Sequence, residues 1–292
     1  MSLELWHRRI FLLLSGVIIA GYLLGMQLSQ STQLLVLLLA VGLTGLPHGA
    51  LDPLVARRAK LWQRGSGLLL FSGIYLLIAA TVFGLWILFP DTTLAALLIM
   101  SVWHFAGDWR AKLPLTQCLA MAATVICAPA FWHTAEVSEL FSFLAPANAQ
   151  LFSSFMFYLA PLSFFTAIIA LSIKEKPDRN LLIEFGVLML AAAVLPPLIF
   201  FLVYFCLLHS PRHLLAVTQG LRRIEVVSYG AIFTGLSLCL AIATFLLLPD
   251  NGISQRLTQV IFIGLLVLTV PHMLITEHAS KRQPPQSLRS TP

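Results

Sequence analysis

The sequence predicts an all-α fold, a polytopic integral membrane bundle of about ten transmembrane helices with both termini cytoplasmic. Three observations predict it. Of the 292 residues, 59% are hydrophobic and only 10% are charged, against about 25% charged in soluble domains. Runs at 10–28, 66–89, 149–173, 226–248 and 257–276 each approach or exceed the ~20 apolar residues that span a bilayer. The basic residues, finally, gather in alternate loops, as membrane topology demands.

Taken in order, the expected spans are 9–28, 33–55, 66–89, 92–109, 113–132, 149–173, 180–195, 197–217, 225–248 and 255–277. The first follows Trp6, His7, Arg8 and Arg9 and resembles a signal sequence. It lacks a small-x-small cleavage site, so it is read as a retained span. The stretch 180–217 must break, because one helix of that length would run about 55 Å, far beyond a ~30 Å hydrocarbon core. Pro196-Pro197 supplies the break, since proline lacks an N–H and clashes with the preceding turn. With the N-terminus inside, every Lys and Arg except Arg256 falls on the cytoplasmic side, while Asp91, Glu136, Glu139 and Asp250 fall outside. Without the double-proline break, Lys281 and Arg282 would land on the wrong side. The stretch 136–148 reads as an external loop with a surface helix. Residues 1–282 form one multi-span domain of the cell inner (plasma) membrane, and 283–292 a disordered cytoplasmic tail.

Other classes drop out. The net charge of +6 comes from short loops and forms no basic stripe interleaved with aromatics, so no nucleic-acid partner is expected. Cys118, Cys127, Cys206 and Cys239 have no C-x-x-C spacing and read as small buried hydrophobes.

Four segments carry the chemistry: Gly45-Leu46-Pro47-His48-Gly49-Ala50-Leu51-Asp52, Trp103-His104-Phe105-Ala106-Gly107-Asp108, His209-Ser210-Pro211-Arg212-His213 and Pro271-His272-Met273. Each lies near the C-terminal end of an even-numbered span, so the topology puts five histidines at similar depth near the cytoplasmic face. His48 and Asp52, His104 and Asp108, and His209 and His213 are i,i+4 pairs, which share a helix face one turn apart. Two imidazoles so spaced can address one ion, although Pro211 between His209 and His213 can kink the turn. His48, His104, His209 and His213 read as metal ligands; the plainer alternative is a polar residue bonded between helices. His272 reads as a supporting or substrate-lining neighbour, with direct ligation the alternative. Asp52 and Asp108 read as carboxylates that orient an imidazole or stand at the membrane edge. His7 and His278 read as interfacial residues, His133 lies at the opposite leaflet, and Glu184 reads as a cytoplasmic-edge residue. Gly45 and Gly49 have a spacing that permits close helix packing.

Imidazole suits iron, copper, zinc and nickel. Zinc would favour hydrolysis, but no positioned base comparable to the Glu of H-E-x-x-H is present. An oxygen-activating Fe(2+) centre is the better reading, with a lipophilic substrate arriving from membrane lipid. No catalytic residue beyond the metal centre is needed.

The P-H-G-A-x-D, W-H-F-x-x-D and H-x-x-x-H elements, followed by P-H-M, resemble the Brp/Blh family of β-carotene 15,15′-dioxygenases. The resemblance covers four motifs in order between residues 45 and 273. It implies a membrane iron enzyme that cleaves the central double bond of the carotenoid with O2, giving two all-trans-retinal. The family's iron-binding histidines correspond to His48, His104, His209 and His213. Three rivals stand beside it. A di-iron hydroxylase or desaturase would need about eight clustered histidines; a haem carrier would need facing bis-histidine pairs; and a transporter would need charges near the midplane.

Overall fold

The computed structural model describes residues 3–172 and 178–282, whose regular structure is all helix, with no strand among them. Lys174, Lys176 and the expected tail 283–292 lie outside the described residues.

Helix α1 runs Leu3–Leu23. Helix α2 (Gln30–Ala40) continues through a π-helical turn, Val41–Gly45, into the short α3 (Leu46–Gly49) and α4 (Asp52–Arg58). There follow α5 (Gly65–Leu88), α6 (Pro90–Phe105) with a 3-10 turn at Ala106–Trp109, and α7 (Leu115–Trp132). The expected surface helix is α8, Thr134–Ser142. Next are α9 (Ala149–Ser172), α10 (Arg179–Val194), and α11 (Pro197–Phe201), which a second π-helical stretch, Leu202–His209, joins to α12 (Ser210–Thr218). Helices α13 (Arg223–Leu247) and α14 (Ile253–Arg282) close the bundle.

The break at the double proline is present. Leu195 and Pro196 are extended, at φ −96°, ψ 142° and φ −54°, ψ 150°, the conformation proline forces on its neighbour. Seven helical rods are long and apolar enough to cross a membrane, the Gln30–Arg58 and Pro197–Thr218 rods each counted as one. The other three expected spans fall on α1, which carries Glu4, Arg8 and Arg9, and on α6 and α10, of 16 residues each. These three are outside the seven.

Burial separates the rods into a wall and a centre. Helix α13 buries no residue, and Val227, Ile232, Leu236 and Leu246 stand exposed along it. So large an exposed apolar face is what a surface against lipid requires. By contrast, the π-helical stretch Leu202–His209 buries seven of its eight residues. It sits in the buried cluster and packs on the first π-helical turn, α1 and α2, while α14 packs on α2, α4 and α5. At one end of the bundle, polar bonds tie the loops together. Arg57 pairs with Glu225 at 2.9 Å, Lys112 with Asp178 at 2.9 Å, and Arg58 donates to the carbonyls of Val217 and Gln219.

Candidate metal centre

Local backbone departures position each candidate ligand. The first π-helical turn delivers the chain to His48, whose Nδ1 hydrogen-bonds the Gly45 carbonyl three residues back. Gly45 leaves room for its neighbours. A Cβ there would stand 2.9 Å from Phe205 Cε1 and 3.2 Å from Val41 Cγ1, close enough that Phe205 would have to shift. Gly49 faces open space, so the expected small-residue contact rests on Gly45 alone. The second π-helical stretch ends on His209; such widened turns are common at functional sites because they re-aim the side chains that follow. Pro211 has no N–H for the Leu207 carbonyl four residues earlier, and His7 Nε2 donates to that carbonyl at 2.9 Å. His7 is therefore a hydrogen-bond partner of the central rod. His104 closes α6 just before its 3-10 turn, and His272 follows Pro271 inside α14.

These departures bring five rings together. By centroid, His48 lies 5.7 Å from His209, 5.4 Å from His213 and 5.2 Å from His272. His104 lies 4.9 Å from His209, 6.4 Å from His213 and 5.3 Å from His272. His213 lies 6.4 Å from His209 and 5.0 Å from His272. Within this group, candidate ligand atoms of His48, His104 and His209 all fall within 4.8 Å of one another. The remaining three histidines are elsewhere. His7 is accounted for, His133 pairs with Glu136 at 3.5 Å, and His278 lies near the end of α14.

The two aspartates lie against this cluster, but each serves a histidine from another rod. Asp108 lies 3.1 Å from His209 Nδ1 through both carboxylate oxygens and accepts the Tyr204 hydroxyl at 2.8 Å. Asp52 Oδ1 lies 2.6 Å from His272 Nδ1, and Oδ2 accepts the Tyr75 hydroxyl at 3.0 Å. A carboxylate only accepts, so Nδ1 of both histidines carries the proton and each Nε2 presents a lone pair. Those two Nε2 atoms, and Nδ1 of His213, are buried with no hydrogen-bond partner. Leaving a buried polar atom unpaired costs about 1–3 kcal/mol, and a cation held within the cluster would accept such lone pairs. The donor set therefore fits a metal ion.

The surroundings complete the chemistry. An apolar cavity of about 160 Å³ reaches His48 and His104 and is walled by residues such as Leu97, Leu98, Phe200, Phe205 and Phe262. Such walls admit hydrocarbon and exclude water. Two features lie outside the sequence reading. Glu184, expected at the cytoplasmic edge, is 5% exposed and pairs with Arg212 at 2.8 Å, and Arg212 also donates to the Asp108 carbonyl at 3.3 Å. Tyr75 carried no signal at all, because nothing in the spacing of α5 distinguishes it from a lipid-facing aromatic. None of the four cysteines is in a disulfide: Cys118, Cys127 and Cys206 are buried, whereas Cys239 is exposed on the wall helix α13.

Comparison with known proteins adds an independent line. A family model described as beta-carotene 15,15′-dioxygenase matches residues 39–278. A beta-carotene 15,15′-dioxygenase from the uncultured marine bacterium 66A03 is 30% identical over 247 residues, covering 80% of this chain and 89% of that protein. No solved structure matches.

Proposed function

The chain belongs to the β-carotene 15,15′-dioxygenase family, and on that premise we propose that it is a carotenoid-cleaving membrane enzyme that works with Fe(2+). The reaction adds O2 across the central 15,15′ double bond of β-carotene and divides it into two all-trans-retinal, so every atom of both reactants appears in the products. His48, His104, His209 and His213 hold the iron. The observation that carries this reading is the cluster of five histidine rings, three of them with a buried unpaired nitrogen, of which His48 and His104 line an apolar cavity.

Bound iron supplies the oxygen activation that a closed-shell hydrocarbon and triplet O2 lack. The protein does the rest. Asp108 holds His209 in the tautomer that offers Nε2, and Tyr204 holds Asp108. The Gly45 carbonyl does the same for His48. Phe205 stacks on His209 at 5.6 Å and meets His48 edge-on at 5.7 Å, so it fixes both ring planes. The cavity walls select an apolar polyene, set which of its double bonds is presented, and keep bulk water from the site. No side chain is required to move a proton in the balanced reaction.

The membrane placement belongs to the same proposal. With α1, α6 and α10 crossing beside the seven other rods, ten crossings put both termini and the histidine cluster on the cytoplasmic side of the inner membrane. The Lys and Arg distribution supports it.

Expression in a β-carotene-accumulating bacterium tests the reaction. Loss of orange colour with retinal in the extract is expected. Iron that co-purifies with the wild type and disappears in His104→Ala is the companion result. Unchanged pigment together with an iron-free protein would overturn the proposal.

A further inference from the structure

We infer that His272 is itself a metal ligand, fixed by Asp52, so that the centre takes five imidazoles. The inference rests on the metal-centre reading above and extends it to a residue which spacing alone placed as a supporting neighbour.

Position is the first argument. A histidine that merely supports ligands stands behind them, yet His272 stands beside them. It is 5.2 Å from His48 and 5.3 Å from His104 by ring centroid, whereas His209 is 5.7 and 4.9 Å from the same two rings. Both therefore touch His48 and His104, and no ring contact joins one to the other, so they lie on opposite sides of that pair. His213 touches all four, at 5.0 to 6.4 Å.

The second argument is hydrogen bonding. A structural histidine in an apolar interior satisfies both ring nitrogens. His272 satisfies one. Asp52 takes the Nδ1 proton at 2.6 Å, and Nε2 is left as a buried lone pair with no donor near it. The two side chains are 3% and 1% exposed, so water cannot supply the missing partner cheaply. The same description fits His209 with Asp108, atom for atom. Carboxylate–imidazole–metal series of this kind are how proteins set the tautomer and basicity of a ligating histidine.

The third argument is the backing of Asp52. Tyr75 donates to its second oxygen at 3.0 Å and lies 3.2 Å from the Leu268 carbonyl, one turn before His272. Asp52 is thus held against α14 and aimed at His272 instead of at His48 on its own rod. A carboxylate held so firmly under a ring with a free Nε2 is arranged for a cation on the far side of that ring.

Metal binding by purified full-length protein in detergent, read with Fe(2+) and with Co(2+) as a spectroscopic substitute, tests the inference. His272→Ala is expected to weaken Fe(2+) binding in chelator competition by at least the 10–100-fold typical of lost support, and to shift the cobalt d–d bands in position and intensity. Asp52→Asn, which keeps the side-chain volume, is the second variant should the first not fold. It is expected to weaken binding by about 10–100-fold. Wild-type affinity in both variants would overturn the inference and leave the four-histidine centre standing. Weaker binding with unchanged cobalt bands in His272→Ala would also overturn it, because His272 would then act from outside the coordination sphere. A wild-type protein that binds neither metal would overturn the metal-centre reading itself.

Discussion

Two carboxylate–tyrosine–histidine braces flank the cluster, and their differences are instructive. In the first, Asp108 shares both oxygens with His209, takes the Tyr204 hydroxyl, and is joined through Arg212 to buried Glu184. In the second, Asp52 commits one oxygen to His272 at 2.6 Å and the other to Tyr75, which is tied to a backbone carbonyl. The first brace is extended and charged, the second short and neutral beyond its own carboxylate. Both solve the same problem, a neutral imidazole held in one tautomer within an apolar bundle, where a wandering polar group would be costly. What varies is how the supporting carboxylate is itself held.

The largest expected effect comes from removing the ligand end of the first brace. His209→Ala should leave purified protein without iron by elemental analysis and reduce retinal formation to background. Retained iron would mean that the remaining rings suffice. One step back, Asp108→Asn should lower Fe(2+) affinity by about 10–100-fold in chelator competition. It should also exceed Asp52→Asn, because it disturbs Tyr204 and Arg212 as well; equal losses would make the two braces equivalent. Gly45→Ala tests the packing beneath both: a Cβ meeting Phe205 at 2.9 Å should destabilise by about 1–3 kcal/mol, seen as a lower thermal midpoint in detergent. Gly49→Ala, with open space around it, should be nearly silent.

Smaller again are the tyrosines. Tyr204→Phe and Tyr75→Phe each remove one hydrogen bond to a carboxylate. Each should cost about 1 kcal/mol, about fivefold in metal affinity. A larger loss for Tyr75→Phe would identify the short brace as the more dependent one. The smallest effect lies at the loop end, away from both braces. The Lys112 hydrogen bond holds the Asp178 carboxyl below the usual carboxylate range. Its folded-state pKa is depressed, so its stabilisation is present above the unfolded pKa of about 3.9 and disappears as pH falls through the folded value. The pair is exposed and worth only a few tenths of a kcal/mol. Asp178→Asn should shift the neutral-pH midpoint by about 1 °C or less, with no difference in strong acid.

Legibility in the sequence followed the range of the underlying interaction. The expected span 113–132 is α7 at Leu115–Trp132, and 66–89 is α5 at Gly65–Leu88, because apolar length is a local property. Pro196-Pro197 marks a real break for the same reason. The histidine segments were found because histidine is rare and costly in apolar spans. Pairing was not legible. The i,i+4 spacing of His48 with Asp52 and of His104 with Asp108 suggests partners on one helix, yet Asp52 turns to His272, 220 residues away, and Asp108 to His209, 101 residues away. The π-helical turns at Val41–Gly45 and Leu202–His209 left no periodic trace either, since each adds only one residue to a turn.

The sequence by itself determined the class of this protein, the order of its helical rods and the residue types available for a metal. These follow from hydrophobicity, proline stereochemistry and the cost of a polar group in lipid, each of which acts on a residue and its near neighbours. Only the tertiary structure decided which carboxylate holds which imidazole, that Glu184 is buried and paired with Arg212, and that His272 stands among the other rings. Those outcomes depend on how separate rods rotate and pack against one another, and the sum of many weak contacts that sets a helix's rotation is not recorded in any one stretch of chain.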